Sequence, residues 1–106
     1  MATKKTTKAK SNGKSAAKMV LVRTYSAGVH FGRLSARRGQ EVDLVDARRI
    51  WNWNGANTLH EVATAGVDVA RSKVSGPVSA ITLTQAIEIL DMTPAAVEVL
   101  GRAKWA

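Results

Sequence analysis

Two histidines are the side chains of this 106-residue chain best suited to acid–base or metal chemistry. Neither His30 nor His60 has a second histidine or a carboxylate at a ligand spacing such as i, i+4, and Glu61, beside His60, belongs to a helix-capping pattern. Ser26 and Ser35 have no visible general base, and the chain contains no cysteine. We therefore expect structural or surface histidines in a protein that is not an enzyme and holds no metal or cofactor.

Lysine dominates the N-terminal segment, residues 1–18, which we call the lysine arm. It contains no acid and six lysines: Lys4, Lys5, Lys8, Lys10, Lys14 and Lys18. The arm therefore carries +6, whereas residues 19–106, which we call the domain, carry ten basic and eight acidic side chains. With a single large apolar side chain, the arm cannot offset its own ordering entropy, so we expect it to be disordered. Fully extended, it would reach roughly 60 Å.

The lysine arm has three possible roles. It could neutralise nucleic-acid phosphates without reading sequence, with a salt slope of about −5 if all six lysines engaged duplex DNA. It could instead become ordered on an acidic surface of a partner protein, or it could be a solubilising tail with no fixed partner. Because the domain itself is almost balanced in charge, we favour the acidic protein surface and keep nucleic acid as the alternative.

A second, smaller basic feature lies within the domain. It consists of four arginines: Arg37, Arg38, Arg48 and Arg49. Glu41, Asp43 and Asp46 are interleaved with them, so local ion pairing across adjacent strands competes with a role in nucleic-acid binding. We favour the ion pairs.

Tryptophans are the candidate contacts for a partner protein within the domain. Trp51 and Trp53 would share one face of a strand, where they could stack on bases or anchor a protein interface. At least one of them should belong to the core, and we expect Trp53 to be the more exposed because Asn54 and Gly55 follow it. Trp105 either folds back onto the domain or joins Trp53 as a second interface residue.

The periodicity of the domain predicts mainly strands. Strand-forming residues over 19–25 and 29–34 should pair as a hairpin, with Gly32 marking a bulge or a close backbone approach. Further strands are expected over 41–45 and 48–53. The segment 81–89 fits both a strand and a helix, and its β-branched content favours one long strand.

Two helices are indicated by their N-terminal caps. Thr58 and Glu61 have the spacing of a capping box, in which Glu61 would reach back to the Thr58 amide, and Gly66 should end a helix of about two turns. Thr93 followed by Pro94 predicts a final helix to about residue 102. We expect a loop between the helical pattern and Pro77.

These elements predict one α+β domain, built as a small antiparallel sheet or a partial barrel of the SH3 or Sm-like type, with two short helices. A chain of this length has room for a single core. It contains neither an apolar run long enough for a membrane helix nor a signal-peptide pattern, so we expect a soluble, unsecreted protein with no membrane partner. Self-association into a homo-oligomer remains open.

Three segments resemble a family of small uncharacterised proteins encoded by tailed bacteriophages: VRTYSAGVHFG at 22–32, ARRIWNWNGANTL at 47–59 and ITLTQAIEI at 81–89. The resemblance covers most of residues 20–106 and leaves out the lysine arm. It implies an origin and no mechanism, and it favours a long strand over 81–89 that would close a small barrel. We expect a phage accessory protein that is associated with the virion and docks on phage structural proteins. Its location would be the virion, or the host cytoplasm during infection.

Overall fold

The structure, a computed structural model, describes residues 18–104 and has an α+β fold. Six strands form one antiparallel sheet: β1 (Met19–Thr24), β2 (Val29–Arg38), β3 (Glu41–Asn52), β4 (Lys73–Val74), β5 (Val78–Leu83) and β6 (Ala86–Asp91). The helices are α1 (Leu59–Ala65) and α2 (Pro94–Gly101), and a 3₁₀ turn covers Val69–Arg71. The predicted class, an antiparallel sheet with two short helices, is confirmed.

The strand order makes the sheet curl without closing. β1, β2 and β3 are neighbours in sequence and in space, β6 pairs with β1, and β4 and β5 pair with successive parts of the other side of β3. β5 and β6 therefore lie at opposite edges, although only two residues separate them. At this bend the Tyr25 N–H donates to the Gln85 carbonyl (2.9 Å) and the Ala86 N–H donates to the Gln40 carbonyl (3.0 Å). The prediction of one long strand over 81–89 is wrong, because these residues form two strands of an open sheet.

β3 is a single strand of 12 residues where the sequence predicted two. Asp46 and Ala47 both lie opposite Gly32 of β2, because the register shifts there, and Asp46 has a φ of 52°. A Cβ on Gly32 would lie 3.0 Å from the Ala47 Cα. The predicted bulge and close approach at Gly32 are confirmed. The bulge interrupts the alternation of side chains along β3, which is why the sequence pattern predicted two strands.

The segment between α1 and Pro77 is only partly the loop that the sequence predicted. It contains the 3₁₀ turn, begun by Asp68, whose side chain accepts from the Ala70 N–H (3.1 Å). It also contains β4, which pairs with the end of β3. Two-residue strands leave no periodic signal in the sequence, so β4 was not predictable from pattern alone.

Both helices begin at the predicted caps. Thr58 accepts from the Glu61 N–H, but the Glu61 carboxylate accepts from the Asn57 N–H (2.9 Å) instead of the predicted Thr58 amide. α2 begins at Pro94, and its cap residue Thr93 donates through its hydroxyl to the Thr64 carbonyl at the end of α1 (2.6 Å). This bond fixes the two helices to each other.

Both faces of the sheet are covered. On one face, which we call the helix face, the buried strand side chains Leu21, Phe31 and Ile50 belong to one cluster with Val62 of α1 and Leu100 of α2. The opposite face, which we call the concave face, buries a second cluster drawn from four strands, β1, β3, β5 and β6, including Val20, Val22, Val42, Leu44 and Leu83. Because side chains alternate along a strand, neighbouring residues of β1 belong to different clusters. Because the sheet curls, side chains of the edge strands β5 and β6 pack in one cluster with those of β1 and β3 on the concave face.

Candidate functional site

Most of the predicted lysine contacts lie outside the described residues, as does Trp105. The lysines concerned are Lys4, Lys5, Lys8, Lys10 and Lys14. Lys18 is described, and its ammonium lies 3.2 Å from the Asp91 carboxylate at the end of β6. Both partners of this ion pair are largely exposed, so it contributes little to stability.

The four arginines of the second basic feature do not form one patch. Arg37 and Arg38 lie at the turn between β2 and β3, whereas Arg48 and Arg49 lie in the far half of β3. Arg38 forms the predicted ion pairs, with Glu41 (3.1 Å) and with an oxygen of Asp43 (3.1 Å).

The Arg37 Nε–H donates to the Gly39 carbonyl (3.1 Å). The hydrogen bond from Arg38 and, as a smaller contribution, the hydrogen bond from Thr82 hold the pKa of the Asp43 carboxyl below its ordinary value.

Arg48 has a structural role that the sequence did not reveal. Its guanidinium lies on the helix face, 5.8 Å from the centre of the Phe31 ring. It donates to the carbonyls of Ser75 (2.7 Å) and Ala103 (2.6 Å), and more distantly to two carbonyls at the end of α2. Partial burial lowers the pKa of this guanidinium from its ordinary value, but arginine stays protonated in proteins. Arg48 thus ties β3 to the C-terminus of α2 and is not available to a partner.

Arg49, the next residue, points to the concave face and separates two surface cavities. The cavity on one side, about 220 Å³, is lined by His30, Ala47, Arg49, Ser75, Val78 and Ile81. The cavity on the other side, about 430 Å³, is lined by Ser26, Ala27, Gly28, Arg49, Ile50 and Trp51. We call the first the His30 cavity, the second the Trp51 cavity, and the two together with Arg49 the Arg49 cleft.

The backbone of Arg49 is fixed by the segment that precedes β5. Its N–H donates to the Ser75 hydroxyl (2.9 Å), and its carbonyl accepts from the Ser75 N–H (2.9 Å). The side chain is exposed and, within residues 18–104, its guanidinium has no ion pair and no hydrogen bond. By contrast, four other arginines form ion pairs with carboxylates: Arg23, Arg33, Arg38 and Arg71. Arg49 therefore offers a positioned cation whose donors are not used by the domain.

His30 lies directly opposite Arg49 in the β2–β3 register and forms the floor of the His30 cavity. Its side chain is buried, and its Nε2 lies 3.0 Å from the Ala27 carbonyl. Since a carbonyl can only accept, Nε2 carries the proton, and neutral His30 presents Nδ1 as an acceptor. Burial lowers the pKa of His30, the hydrogen bond to Ala27 opposes that shift, and the charge of Arg49 adds to it.

The tryptophans are placed differently from the prediction. Trp51 is 64% exposed and lines the Trp51 cavity, whereas Trp53 lies beyond the end of β3, partly buried against the helix-face cluster. The expectation that Trp53 would be the more exposed is wrong. Asn54 and Gly55 do break the strand, but the chain turns so that the Asn54 carbonyl accepts from the Asp68 N–H (2.8 Å). That turn carries Trp53 onto the core.

The Arg49 cleft combines a cation, an exposed indole, an apolar wall and a buried imidazole. Such a surface can bind a group that presents a negative charge beside an apolar side chain. The sequence contained a signal for it, since alternation along β3 sends Arg49 and Trp51 to one face and Arg48 to the other.

None of the helices in residues 18–104 is long and apolar enough to span a membrane. In the same part of the chain, no three histidine or acidic side chains come together in a group that could hold a metal ion.

Comparison with known proteins identifies a family that matches most of the chain. A family described as a domain of unknown function, DUF6948, matches residues 17–100. No match was found to a curated protein or to a solved structure. The match spans all six strands and almost all of α2. The chain therefore belongs to the DUF6948 family.

Proposed function

We propose that this protein is a non-enzymatic phage accessory protein, associated with the virion, that docks on a protein assembly through its domain. In this proposal the lysine arm lies on an acidic surface of the same assembly. The phage origin rests on the resemblance of the three sequence segments named above. The protein would reside in the virion, or in the host cytoplasm during infection.

The observation that carries the proposal is the separation of charge between the arm and the domain. Six lysines without an acid precede residue 19, whereas the domain carries ten basic and eight acidic side chains. Within the domain, Arg38 is paired with acids and Arg48 is bound to backbone carbonyls. The domain is thus not a basic surface suited to a nucleic-acid backbone, and its exposed Trp51 is suited to a protein contact.

Deletion of residues 1–18 tests the role of the arm. We expect the shortened protein to keep the circular dichroism spectrum of a folded domain and to be lost from purified particles. A matched control replaces the six lysines by glutamines, which keeps the length and removes the charge. If the deleted or the neutral protein enters particles in unchanged amount, the proposal is wrong.

The lysine arm also supports an alternative, a nonspecific nucleic-acid-binding protein. Six lysines would give a salt slope of about −5 on duplex DNA, so binding at low salt should be released as ionic strength rises. A mobility-shift series with DNA and with RNA tests this directly. Failure to shift either nucleic acid at low salt would exclude the alternative, whereas the steep salt dependence would favour it over docking on protein.

A further inference from the structure

We propose that the Arg49 cleft binds an extended acidic segment of a partner protein, in which a carboxylate contacts Arg49 and an adjacent large apolar side chain fills the His30 cavity. This inference rests on the proposed function, because it names the chemistry of the partner on which the domain docks. It is carried by the cleft itself and does not involve the lysine arm.

Arg49 supplies the site for the negative charge. Its backbone is held at 2.9 Å by both the N–H and the hydroxyl of Ser75, so the base of the side chain is fixed. Its guanidinium is exposed and has no carboxylate partner within the described residues. A planar fork of donors on a fixed strand matches the two oxygens of a carboxylate.

The His30 cavity supplies the site for the apolar side chain. Its walls include Ala47, Val78 and Ile81, and Val78 is 49% exposed although it is a large apolar residue. The volume of about 220 Å³ exceeds the roughly 150 Å³ of an apolar protein cavity that accepts benzene. A phenylalanine or leucine side chain therefore fits, and its entry would remove Val78 from water.

His30 adds a polar contact at the floor of this cavity. Its Nε2 N–H donates to the Ala27 carbonyl, and residues 18–104 provide no donor for its Nδ1. The side chain is only 2% exposed, so a ligand must enter the cavity to reach it.

Charge and spacing favour a protein segment over a nucleic-acid strand. A strand of DNA presents a phosphate every 3.4 Å or so along the helix axis and is held by several cations. The cleft offers one, since Arg48 points to the helix face and donates to carbonyls there. Trp51, beside Arg49, has the exposed indole and the position in a concave surface that are typical of the centre of a protein interface.

Nuclear magnetic resonance titration of the purified full chain tests the inference. The probe is a capped six-residue peptide with an adjacent phenylalanine and aspartate flanked by glycine and serine. Two matched peptides replace the aspartate by asparagine or the phenylalanine by alanine. We expect the first peptide to shift the Trp51 indole and Gly28 amide resonances, and each change to weaken binding about tenfold.

Protein variants provide the second arm of the test. Arg49→Gln should weaken binding of the phenylalanine–aspartate peptide about tenfold, because a hydrogen-bonded charge is lost. The control is Arg102→Gln, which removes an exposed arginine that follows α2. Dispersed spectra of both variants would show that they are folded.

Several results would overturn the inference. These are no shift at millimolar peptide, equal affinity for the aspartate and asparagine peptides, equal effects of the two variants, or tighter binding of oligothymidylate at the same resonances. The titration needs no virions, so its failure can be separated from failure of the proposed function. If the protein is present in particles but does not bind the peptide, only the inference about the cleft is wrong. If it binds the peptide but is absent from particles, only the association with the virion is wrong.

Discussion

Replacing Arg48 by methionine should destabilise the domain strongly, because one side chain joins β3 to two other segments. The guanidinium donates to the Ser75 carbonyl at 2.7 Å and to the Ala103 carbonyl at 2.6 Å. It also donates to the carbonyls of Leu100 (3.2 Å) and Gly101 (3.3 Å) at the C-terminal end of α2. Methionine keeps an apolar stem of similar length and removes every one of these donors.

The expected cost follows from these contacts. The two short hydrogen bonds from this charged donor contribute about 1.5 kcal/mol each, at the low end of their range because Arg48 is only partly buried. Water can replace part of the two longer contacts, so the loss there is only about 0.3 kcal/mol, the low end of a helix-dipole contribution. We therefore expect the free energy of unfolding to fall by about 3 kcal/mol. For a domain of this size, that loss lowers the Tm by roughly 12–24 °C.

Chemical denaturation followed by circular dichroism measures this loss, and the neighbouring arginine provides the control. Arg49→Met removes the same charge one residue along the strand, where the guanidinium has no partner among residues 18–104, and should change stability by less than about 0.5 kcal/mol. If Arg48→Met and Arg49→Met have the same effect within that margin, Arg48 does not tie the strand to the helix.

Three further predictions concern stability. The pKa of His30 is lowered in the folded state, so the unfolded state binds the proton more readily and the free energy of unfolding should decline as the pH falls below about 6.5. His30→Gln should flatten this decline in a series of thermal melts. An unchanged decline in the variant would contradict the role of His30. Gly66 has a φ of 88°, and an added Cβ would lie 2.6 Å from a valine side chain of α2. Gly66→Ala should therefore cost at least about 2 kcal/mol, more than Gly39→Ala at an open turn with a φ of 61°, and equal denaturation midpoints would refute the packing argument. Trp53→Ala should cost about 2 kcal/mol and Trp51→Ala less than about 1 kcal/mol, since only Trp53 packs against the core; the reverse order in urea denaturation would be inconsistent with the fold.

Local features of the fold could be predicted from the sequence because their causes are local. Thr58 and Thr93 begin helices through bonds to amides three residues on, so the spacing alone indicates them. The hairpin of β1 and β2 and the closeness of Gly32 to β3 follow from alternation and from a glycine within a strand. The ion pairs of Arg38 with nearby acids are also local in sequence.

Features that depend on distant contacts could not be predicted in this way. The break between β5 and β6 exists because the chain passes from one edge of the sheet to the other, and the apolar alternation continues through it. The side chain of Arg48 is held by carbonyls 27 to 55 residues away, which no neighbouring residue indicates. Likewise, Trp53 is partly buried because of a turn in which the Asp68 N–H donates to the Asn54 carbonyl. Alternation along β3 indicates that Arg49 and Trp51 share a face, but the two cavities beside Arg49 are lined by residues of other segments and could be located only from the structure.

The central claim is that this protein is part of a virion, and quantitative mass spectrometry of purified phage particles tests it most directly. The account predicts the full chain at a fixed, stoichiometric copy number that persists after nuclease treatment and a high-salt wash. Absence from particles, or loss on nuclease treatment, would contradict it and would favour a factor that acts on nucleic acid in the infected cell.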